Sequence, residues 1–502
     1  MTARTDVGSF DRSSDWSKLH VGVAGLGIAG YACADALMQL GAAVQVVDAS
    51  DGPVQRERAT ILETLEVSVR LGDGDTLPDG LDVLVVSPGL RPSAAIIDAA
   101  IRAGVPVWGE LELAWRLRPI DNPAPWLCVT GTNGKTTTTL MLESMLRADG
   151  RRTRAVGNIG VSLVDTVMHD DLDVIAIEVG APQLPFVQSM SPLASVCLNV
   201  AEDHIDFFGS FDAYRHSKAQ IYQRVQLACV YNVADPETER LVAEADVIEG
   251  ARAIGFTLGT PAPSMLGVVD EYLVDRAFLD NRRDSALELA SVHDVTPFAP
   301  HNVTNALAAA ALARAYGVKP TSVGAGLRTF TPAGHRIADV GEVNGVRFID
   351  DSKATNTHAA LTSLRGYDRV VWIAGGLAKG QSFDDLVLAE AHRMRGVVLL
   401  GADRGVIRAA LKRHAPDVPV AEVDRTDTGA MLDVLRAAAA YARPGDTVLL
   451  APGCASWDMY RDYAARGDAF ADAVGALAAQ TSQISPGQIA PDSDDSPTAR
   501  SR

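Results

Sequence analysis

The sequence predicts an α/β protein made of three consecutive α/β domains. Short apolar runs typical of buried parallel strands recur from His20 to Leu450, and most are followed by helical periodicity. Glycine-rich turns follow two of these runs, as in nucleotide-binding folds. We predict domains at 18–118, 119–331 and 332–478, with a disordered N-terminus (1–17) and a disordered Gln-, Ser-, Pro- and Asp-rich tail (479–502).

Composition limits the class of protein. A chain of 502 residues with 47% apolar side chains can form several cores. The net charge of −18 argues against nucleic acid or an anionic membrane as a partner. Five scattered cysteines without a CxxC pair indicate core thiols in a reducing compartment. Without a signal segment or an 18-residue apolar run, we expect a cytoplasmic protein with no stable membrane insertion. We also expect a monomer.

The first domain begins with a strand, His20–Ala24, and a Gly-x-Gly-x-x-Gly turn from Gly25 to Gly30 that opens an alanine-rich helix. The next strand, 43–47, ends at Asp48, where dinucleotide-binding folds place an acid. The pattern favours a Rossmann-like domain that binds a pyrophosphate. A nicotinamide dehydrogenase, or tight β–α packing without any ligand, would have the same turn.

The second domain begins with an apolar strand, Trp126–Thr130, and a loop of sequence Gly-Thr-Asn-Gly-Lys-Thr-Thr (131–137), with a helix predicted from Thr136 to Asp149. Backbone N–H groups at such a helix N-terminus cradle phosphates. Lys135 would bind the β- and γ-phosphates, and the Thr136 hydroxyl would bind Mg²⁺. The loop predicts a P-loop-type ATPase domain. The alternative is a tight turn that merely contains a lysine.

Polar residues end two further strands of this domain. Glu178 follows the apolar run 174–177, and His204 follows the strand 195–200. Ligands collect at the carboxyl ends of strands in open α/β sheets, so both side chains suit a divalent cation on ATP. Glu178 as a helix cap and His204 as a surface-loop residue are the alternatives.

The remaining chain predicts an antiparallel flap near 259–297 and then an alanine-rich helix that Asn302 could cap. Apolar strands at 346–349, 370–374, 397–400 and 447–450 alternate with helical periodicity. They predict a Rossmann-like C-terminal domain.

Several motifs occur in an order that resembles the Mur ligase family: 131–137, Gly-Asn-Ile-Gly (157–160), Asn-Val-Ala-Glu-Asp-His-Ile-Asp (199–206), His-Asn-Val-Thr-Asn (301–305), His335-Arg336 and Asp-Ser-Lys-Ala-Thr-Asn (351–356). The family consists of ATP-dependent ligases that add amino acids to the peptidoglycan precursor during cell-wall synthesis, which links them to cell shape and division. The Gly-x-Gly-x-x-Gly start, the 351–356 stretch and the lack of an Asp-Asn-Pro-Arg stretch in the third domain favour the D-glutamate-adding branch. The resemblance thus implies UDP-N-acetylmuramoyl-L-alanine, D-glutamate and ATP as substrates.

The resemblance also implies roles for single residues. Two Mg²⁺ ions are expected, with Lys218 converted by CO₂ to a carbamate that supplies an oxygen ligand; from its helix alone, Lys218 would be a solvated lysine. Catalysis is assigned to Lys135, His204 and Lys218. The metal ligands would be Thr136, Glu178, His204 and carbamylated Lys218. The ATP-binding set is Gly131, Thr132, Asn133, Gly134, Lys135, Thr136, Thr137, Asn302, Asn305, Arg336, Asp351 and Lys353. The UDP-substrate set is Gly25, Gly27, Ile28, Ala29, Asp48, Ser87, Gly89 and Asn158. The D-glutamate set is Thr355, Lys379, Ser456 and Tyr463.

The chain departs from the family pattern at three places. Gly180-Ala181-Pro182 replaces a Ser-Ser-containing stretch, Ala338 replaces an expected glutamate, and Ala49-Ser50 stands where a threonine is common. A non-catalytic descendant of the family is therefore a further alternative. Retention of Lys135, Glu178, His204 and Lys218 argues against it.

Overall fold

A computed structural model of the chain describes residues 6–332 and 334–482. They divide into two compact units, the first ending at residue 333 and the second beginning at Gly334. Three sheets flanked by helices, two in the first unit and one in the second, confirm the α/β class. In the described part of the chain no helix combines the length and the apolar content that a membrane crossing requires.

The first sheet has five parallel strands in the order β3-β2-β1-β4-β5. Its strands are β1 (His20–Ala24), β2 (Ala43–Asp48), β3 (Ser68–Leu71), β4 (Val83–Val86) and β5 (Val107–Gly109). Its helices are α1 (Ile28–Gln39), α2 (Pro53–Thr64), α3 (Ala95–Arg102) and α4 (Glu110–Leu117). The burial of every residue of β4 is what a strand covered by helices on both faces requires.

The second sheet, also in the first unit, has nine strands in the order β14-β13-β12-β11-β10-β9-β6-β8-β7. Its strands are β6 (Trp126–Thr130), β7 (Thr153–Gly157), β8 (Val174–Glu178), β9 (Ala194–Cys197), β10 (Ala228–Asn232), β11 (Arg252–Phe256), β12 (Met265–Val269), β13 (Tyr272–Asp275) and β14 (Leu287–Ser291). Its helices are α5 (Lys135–Ala148), α6 (Leu163–His169), α7 (Ile205–Phe208), α8 (Phe211–Ala219), α9 (Pro236–Ala243), α10 (Pro300–Tyr316) and α11 (Pro320–Thr329).

The strand order of this second sheet positions the candidate site. Strand β6 lies between β8 and β9 and is parallel to both, so the chain order reverses at its carboxyl end. Ligands bind at such switch points in open α/β sheets. Strands β12, β13 and β14 pair antiparallel, which confirms the predicted flap.

The second unit contains a six-stranded sheet in the order β15-β16-β20-β17-β18-β19, with β15 antiparallel to β16 and the other pairs parallel. Its strands are β15 (Ala338–Val343), β16 (Val346–Asp350), β17 (Val370–Gly375), β18 (Met394–Leu400), β19 (Val420–Glu422) and β20 (Thr447–Leu450). Its helices are α12 (Thr357–Leu364), α13 (Asp384–Glu390), α14 (Arg404–His414), α15 (Ala430–Tyr441) and α16 (Tyr463–Ser482).

The predicted disorder of residues 1–17 is wrong over the part that the structure describes. Val7 and Trp16 are buried, and the Arg116 guanidinium donates hydrogen bonds to the carbonyls of Val7, Gly8 and Phe10. The polar composition of residues 1–17 predicted disorder because it contains only a few apolar side chains, and Val7 and Trp16 are among those few. At the other end α16 continues to Ser482, beyond the predicted tail boundary at 479. The predicted disorder of 1–5 and 483–502 lies outside the described residues.

The cysteines are buried thiols, as composition predicted. All five (Cys33, Cys128, Cys197, Cys229 and Cys454) are free and buried. Burial raises the pKa of the Cys197 thiol to about 11, so this group stays protonated and unreactive.

Candidate active site

The glycine-rich loop between β6 and α5 has a backbone that only glycine adopts easily. Gly131 and Gly134 have φ angles of 151° and 85°. A Cβ on Gly134 would lie 2.4 Å from the Asn305 Oδ1 atom, so α10 packs directly against the loop. The helix begins at Lys135, one residue earlier than predicted. Its Nζ donates hydrogen bonds to the carbonyls of Gly131 (2.8 Å) and Thr132 (2.9 Å), which places the ammonium inside the loop.

Two residues that sequence reasoning gave no role hold this loop in place. The Asn199 side chain accepts from the Asn133 N–H (2.8 Å) and donates to the Asn133 carbonyl (3.1 Å). The Tyr214 hydroxyl lies 2.9 Å from the Thr132 Oγ1 atom. Asn199 lies just after β9, and Tyr214 lies in α8, so elements distant in sequence fix the loop's shape.

Glu178 ends β8 beside this loop and is only 2% exposed. Its Oε1 atom accepts a hydrogen bond of 2.9 Å from the Asn158 Nδ2 atom. Its Oε2 atom is buried without a hydrogen-bond partner among the described residues. A buried carboxylate oxygen without a partner is costly, and a cation would satisfy it. The helix-cap alternative is wrong, because the carboxylate lies at a strand end and caps no backbone N–H.

Lys218 is 1% exposed, so the alternative of a solvated helix lysine is wrong. It lies on the face of α8 that packs against the turn 181–186, and its Nζ is 4.8 Å from the Tyr214 ring centroid. Burial, with a smaller effect of the Lys135 charge, lowers the pKa of Lys218 to about 7. A large fraction of this amine is therefore neutral and nucleophilic near neutral pH.

His204 directly precedes α7 and has a left-handed backbone (φ 54°) and a side chain that is 39% exposed. Its ring lies 6.3 Å from the ring of Tyr214, and its Nε2 atom lies 3.8 Å from the Asp203 Oδ2 atom. It is thus a loop residue close to the phosphate loop. Within residues 6–332 and 334–482, no group of three or more His, Cys, Asp or Glu is arranged to hold a metal.

Asn302 does not cap α10, contrary to the alternative drawn from its position. The helix begins at Pro300 after Ala299, so Asn302 lies inside the first turn. Its Nδ2 atom donates to the Pro297 carbonyl (2.9 Å), and its Oδ1 atom accepts from the Asn305 Nδ2 atom (3.3 Å). Asn302 therefore orients Asn305, which faces the phosphate loop.

The Gly-x-Gly-x-x-Gly turn follows β1 as predicted. A Cβ on Gly30 would lie 1.8 Å from the Gly25 carbonyl oxygen, so the tight turn requires glycine. Asp48 binds this turn by accepting from the Leu26 N–H (2.5 Å), and its other oxygen accepts from the nearby Ser50 N–H (2.6 Å). The other candidates for the UDP substrate divide in two. Ile28 and Ala29 begin α1 and Ser87 and Gly89 follow β4, all at this sheet's carboxyl edge, whereas Asn158 lies at Glu178.

In the second unit, candidate residues follow the carboxyl ends of β16, β17 and β20. Asp351 is buried, and the Ser363 hydroxyl donates to its carboxylate. Burial raises the pKa of Asp351 to about 6, although the Ser363 hydroxyl and the Arg336 charge oppose the shift. The Lys353 Nζ lies 3.8 Å from the Tyr463 ring centroid, so an ATP candidate contacts a D-glutamate candidate.

The remaining D-glutamate candidates lie on neighbouring loops of the same sheet. Thr355 follows β16. Lys379 has a left-handed backbone (φ 52°) after β17. Ser456 is buried after β20. Leu377 and Ala455 exchange two backbone hydrogen bonds of 2.9 Å, which join the last two loops.

Arg466, to which sequence reasoning gave no role, connects these loops. It is 1% exposed and donates to the Ser352 Oγ atom (2.9 Å), the Ser352 carbonyl (2.8 Å) and the Cys454 carbonyl (3.1 Å). Ser352 lies between Asp351 and Lys353, and Cys454 lies two residues before Ser456. No sequence signal distinguishes Arg466 from other arginines of a helix.

Family models match the chain along most of its length. They are described as "Mur ligase MurD-like, N-terminal domain" (residues 19–109), "Mur ligase middle domain" (129–313) and "Mur ligase, glutamate ligase domain" (335–454). The chain belongs to the Mur ligase family. Family membership confirms the resemblance in the motifs and excludes the dehydrogenase alternative for the first domain.

Curated Mur ligases are similar to nearly the whole chain. A UDP-N-acetylmuramoylalanine–D-glutamate ligase of Streptomyces coelicolor is 58% identical over 93% of this chain and 100% of its own length. Relatives with the same name from Thermobifida fusca and Mycolicibacterium smegmatis are 52% and 44% identical, over 91% and 90% of this chain and 98% and 95% of their own lengths.

Solved structures of peptide ligases have the same fold. A pseudomurein peptide ligase type C from Methanothermus fervidus matches with a TM-score of 0.56 and 16% identity, over 92% of this chain and 100% of that one. A MurF ligase from Thermotoga maritima, solved in complex with ADP, matches with a TM-score of 0.53 and 14% identity, over 95% of this chain and 100% of that one.

Proposed function

We propose that this Mur ligase couples ATP hydrolysis to the addition of D-glutamate to UDP-N-acetylmuramoyl-L-alanine, in cytoplasmic synthesis of the peptidoglycan precursor. Relatives from 58% to 42% identical all have the name of this activity. One observation supports the proposed catalytic activity. The phosphate loop after β6, the partly unpaired Glu178 at the end of β8 and the buried Lys218 of α8 lie in one unit.

The chemistry follows from the reactivity of a carboxylate, which is a poor electrophile. An oxygen of the L-alanyl carboxylate attacks the γ-phosphorus of ATP, and the bond to the β-bridging oxygen breaks to give an acyl phosphate and ADP. The amine of D-glutamate then attacks the acyl carbon, loses a proton and displaces phosphate to form the amide. Lys135 and the loop N–H groups stabilise the charge on the transferred phosphoryl group.

We propose Mg²⁺ as the cofactor, held by Thr136, Glu178, His204 and the carbamate of Lys218. The unpartnered Oε2 atom of Glu178 fits a cation ligand. A neutral Lys218 amine that attacks CO₂ gives a carbamate and releases one proton, which turns a buried amine into an anionic oxygen ligand. When bound, Mg²⁺ would neutralise phosphate charge.

The substrate contacts are proposals drawn from the family. The loops of the first sheet would bind the UDP moiety through Gly25, Gly27, Ile28, Ala29, Asp48, Ser87 and Gly89. Asn158 lies at Glu178, so we propose that it contacts the part of the substrate nearest the phosphates. Thr355, Lys379, Ser456 and Tyr463 would bind D-glutamate. The proposed domains are 18–118, 119–331 and 332–478, and the proposed oligomeric state is a monomer.

An assay of ADP release tests the activity. Release should require UDP-N-acetylmuramoyl-L-alanine and should be fastest with D-glutamate among a panel of amino acids. Release that does not depend on the amino acid, or that prefers another one, would refute the proposed substrate. No release with any amino acid would favour the non-catalytic alternative.

Substitution of Lys218 tests the carbamate. Lys218→Ala should be nearly inactive, and formate or acetate should restore part of the activity by supplying the missing anionic oxygen. The control is Lys319→Ala, since Lys319 is an exposed lysine of the same unit. Rescue by amines instead of carboxylates would show that Lys218 acts as a cation.

A further inference from the structure

Glu110 is the first residue of α4, yet its carboxylate binds the part of the chain that belongs to the second sheet. The residue is buried. Its Oε1 atom accepts from the Leu163 N–H (3.0 Å) and the Ser162 hydroxyl (3.1 Å), at the start of α6. Its Oε2 atom accepts from the Gln183 Nε2 atom (3.4 Å).

Gln183 extends this contact to the candidate metal ligand. Its Oε1 atom accepts from the Gly180 N–H (2.8 Å), two residues after Glu178. A Cβ on Gly180 would lie 3.1 Å from the Asn158 Oδ1 atom, and Asn158 donates to the Oε1 atom of Glu178. The chain of contacts thus runs from Glu110 through Gln183 and Gly180 to the Asn158–Glu178 pair.

The second contact of Glu110 fixes the other side of the same pair. Ser162 and Leu163 directly follow the loop 157–161, which the hydrogen bond from the Gly157 N–H to the Val161 carbonyl (2.8 Å) closes. Within this loop the Asn158 N–H donates to the Glu178 carbonyl (2.9 Å). One carboxylate therefore holds both segments that meet at Glu178.

We infer that Glu110 is a positioning residue that sets the orientation of Glu178 through Gln183 and Asn158, and so couples the first sheet's domain to the phosphate site. The inference rests on the proposed metal role of Glu178. Groups that orient metal ligands in this way typically change metal affinity by roughly 10–100-fold when they are replaced.

Glu112 provides a matched control on the same helix. It is fully buried and also binds the second-sheet part, accepting from the N–H groups of Gln188 and Ser189 (both 2.8 Å). It also forms an ion pair of 2.8 Å with Arg116. Its described contacts do not include the segment from Asn158 to Leu163 or the Gln183 amide. A purely structural role would therefore make Glu110 and Glu112 behave alike.

The experiment compares Glu110→Gln, Glu112→Gln and Glu178→Gln in the full chain. We would measure ADP binding by calorimetry across a range of Mg²⁺ concentrations, and the melting temperature without metal. A glutamine at 110 presents an N–H group to the Gln183 amide N–H, so one of the contacts that link residue 110 to Glu178 must break. Glu110→Gln should raise the Mg²⁺ concentration for half-maximal binding roughly 10-fold or more, as Glu178→Gln should. Glu112→Gln should lower the melting temperature and leave the Mg²⁺ response unchanged.

A compensating pair sharpens the test. In Glu110→Gln with Gln183→Glu, the donor and acceptor exchange places and the Gly180 N–H keeps its acceptor, so the Mg²⁺ response should return toward that of the wild type. If Glu110→Gln fails to fold, Gln183→Leu alone should give the same shift in Mg²⁺ response.

Two different outcomes would overturn the inference. A normal Mg²⁺ response in Glu110→Gln or in Gln183→Leu, with a shifted response in Glu178→Gln, refutes the positioning role of Glu110 and leaves the metal role of Glu178 standing. A normal response in Glu178→Gln refutes the metal role of that residue and the positioning role with it.

Discussion

Replacing Arg466 by methionine should destabilise the second unit strongly. The guanidinium donates to the Ser352 carbonyl at 2.8 Å and to the Cys454 carbonyl at 3.1 Å, and both residues are fully buried. Methionine fills similar space but donates nothing. Two buried carbonyls left without donors, at roughly 1–3 kcal/mol each, amount to a loss of about 2–6 kcal/mol. In a unit of this size 1 kcal/mol corresponds to about 2–4 °C, so the melting temperature should fall by at least about 4–8 °C.

Differential scanning calorimetry of the full chain measures this fall in the transition of the second unit. Arg461→Met is the matched control, because Arg461 has an 85% exposed side chain that is paired with Asp462 at the surface. Such a pair contributes about 1 kcal/mol at most. Arg466→Lys should fall between the two, since a lysine keeps the charge but cannot form the planar fork.

Replacing Arg466 by lysine should also weaken substrate binding, because Arg466 joins the loop that contains Asp351 and Lys353 to the loop that contains Ser456. Arg466→Lys should therefore raise KM for D-glutamate at temperatures where the protein is folded. A melting temperature of Arg466→Met equal to that of the wild type would refute this role of Arg466, because the two carbonyls would then have found other donors at no cost.

Three further substitutions test separate steps of the argument. Lys135→Ala should lower kcat roughly 10²–10³-fold in the ADP-release assay and leave the fold intact, because its charge acts on the transferred phosphoryl group. Gly134→Ala should abolish ADP binding measured by calorimetry, because φ is 85° and the new Cβ would lie 2.4 Å from the Asn305 Oδ1 atom. Asp351→Asn should change the pH dependence of stability, because the folded-state pKa of about 6 lies above the ordinary 3.8. The wild type should therefore lose about 2 kcal/mol relative to the variant as the pH rises from 4 to 7.

Each of these has a result that contradicts it. Near-normal turnover in Lys135→Ala would remove the phosphate-binding assignment. Tight ADP binding by Gly134→Ala would mean that the loop can rearrange around the Cβ. A constant difference in unfolding free energy between wild type and Asp351→Asn across this pH range would show that Asp351 titrates normally.

The sequence could predict where the strand end and the glycine loop of the candidate site lie, because both are local signals. An apolar run ending at Glu178 and a glycine loop ending at Lys135 both follow from neighbouring residues alone, and both side chains lie where strand order predicts them. The beginning of α10 was misjudged for a related reason. Asparagine is a common helix cap, but this helix begins at Pro300, two residues before Asn302.

The burial of Lys218 could not be predicted in this way. Its helix, Phe211–Ala219, contains charged residues on several faces, so periodicity does not show which face is covered. Lys218 shares the buried face of α8 with Tyr214 and Ser217, and the Ser217 hydroxyl donates to the carbonyl of Ala181, about thirty-five residues earlier in the chain. Only a tertiary contact decides that this lysine loses its water and that its pKa falls. The family resemblance assigned the role, whereas the structure supplies the physical condition for it.

Three buried glutamates of the first unit, Glu110, Glu112 and Glu178, differ in whether both carboxylate oxygens have hydrogen-bond partners. Glu110 and Glu112 each accept hydrogen bonds at both oxygens, so the surrounding chain replaces the water that they lost. Glu178 accepts one bond at Oε1, and no described residue bonds its Oε2 atom. An unpaired buried oxygen lowers stability, and a sequence selected for folding alone would remove it by substitution or give it a partner. The cost is tolerated where a ligand completes the set, which is why we place the cation at Glu178 and the support for it at Glu110.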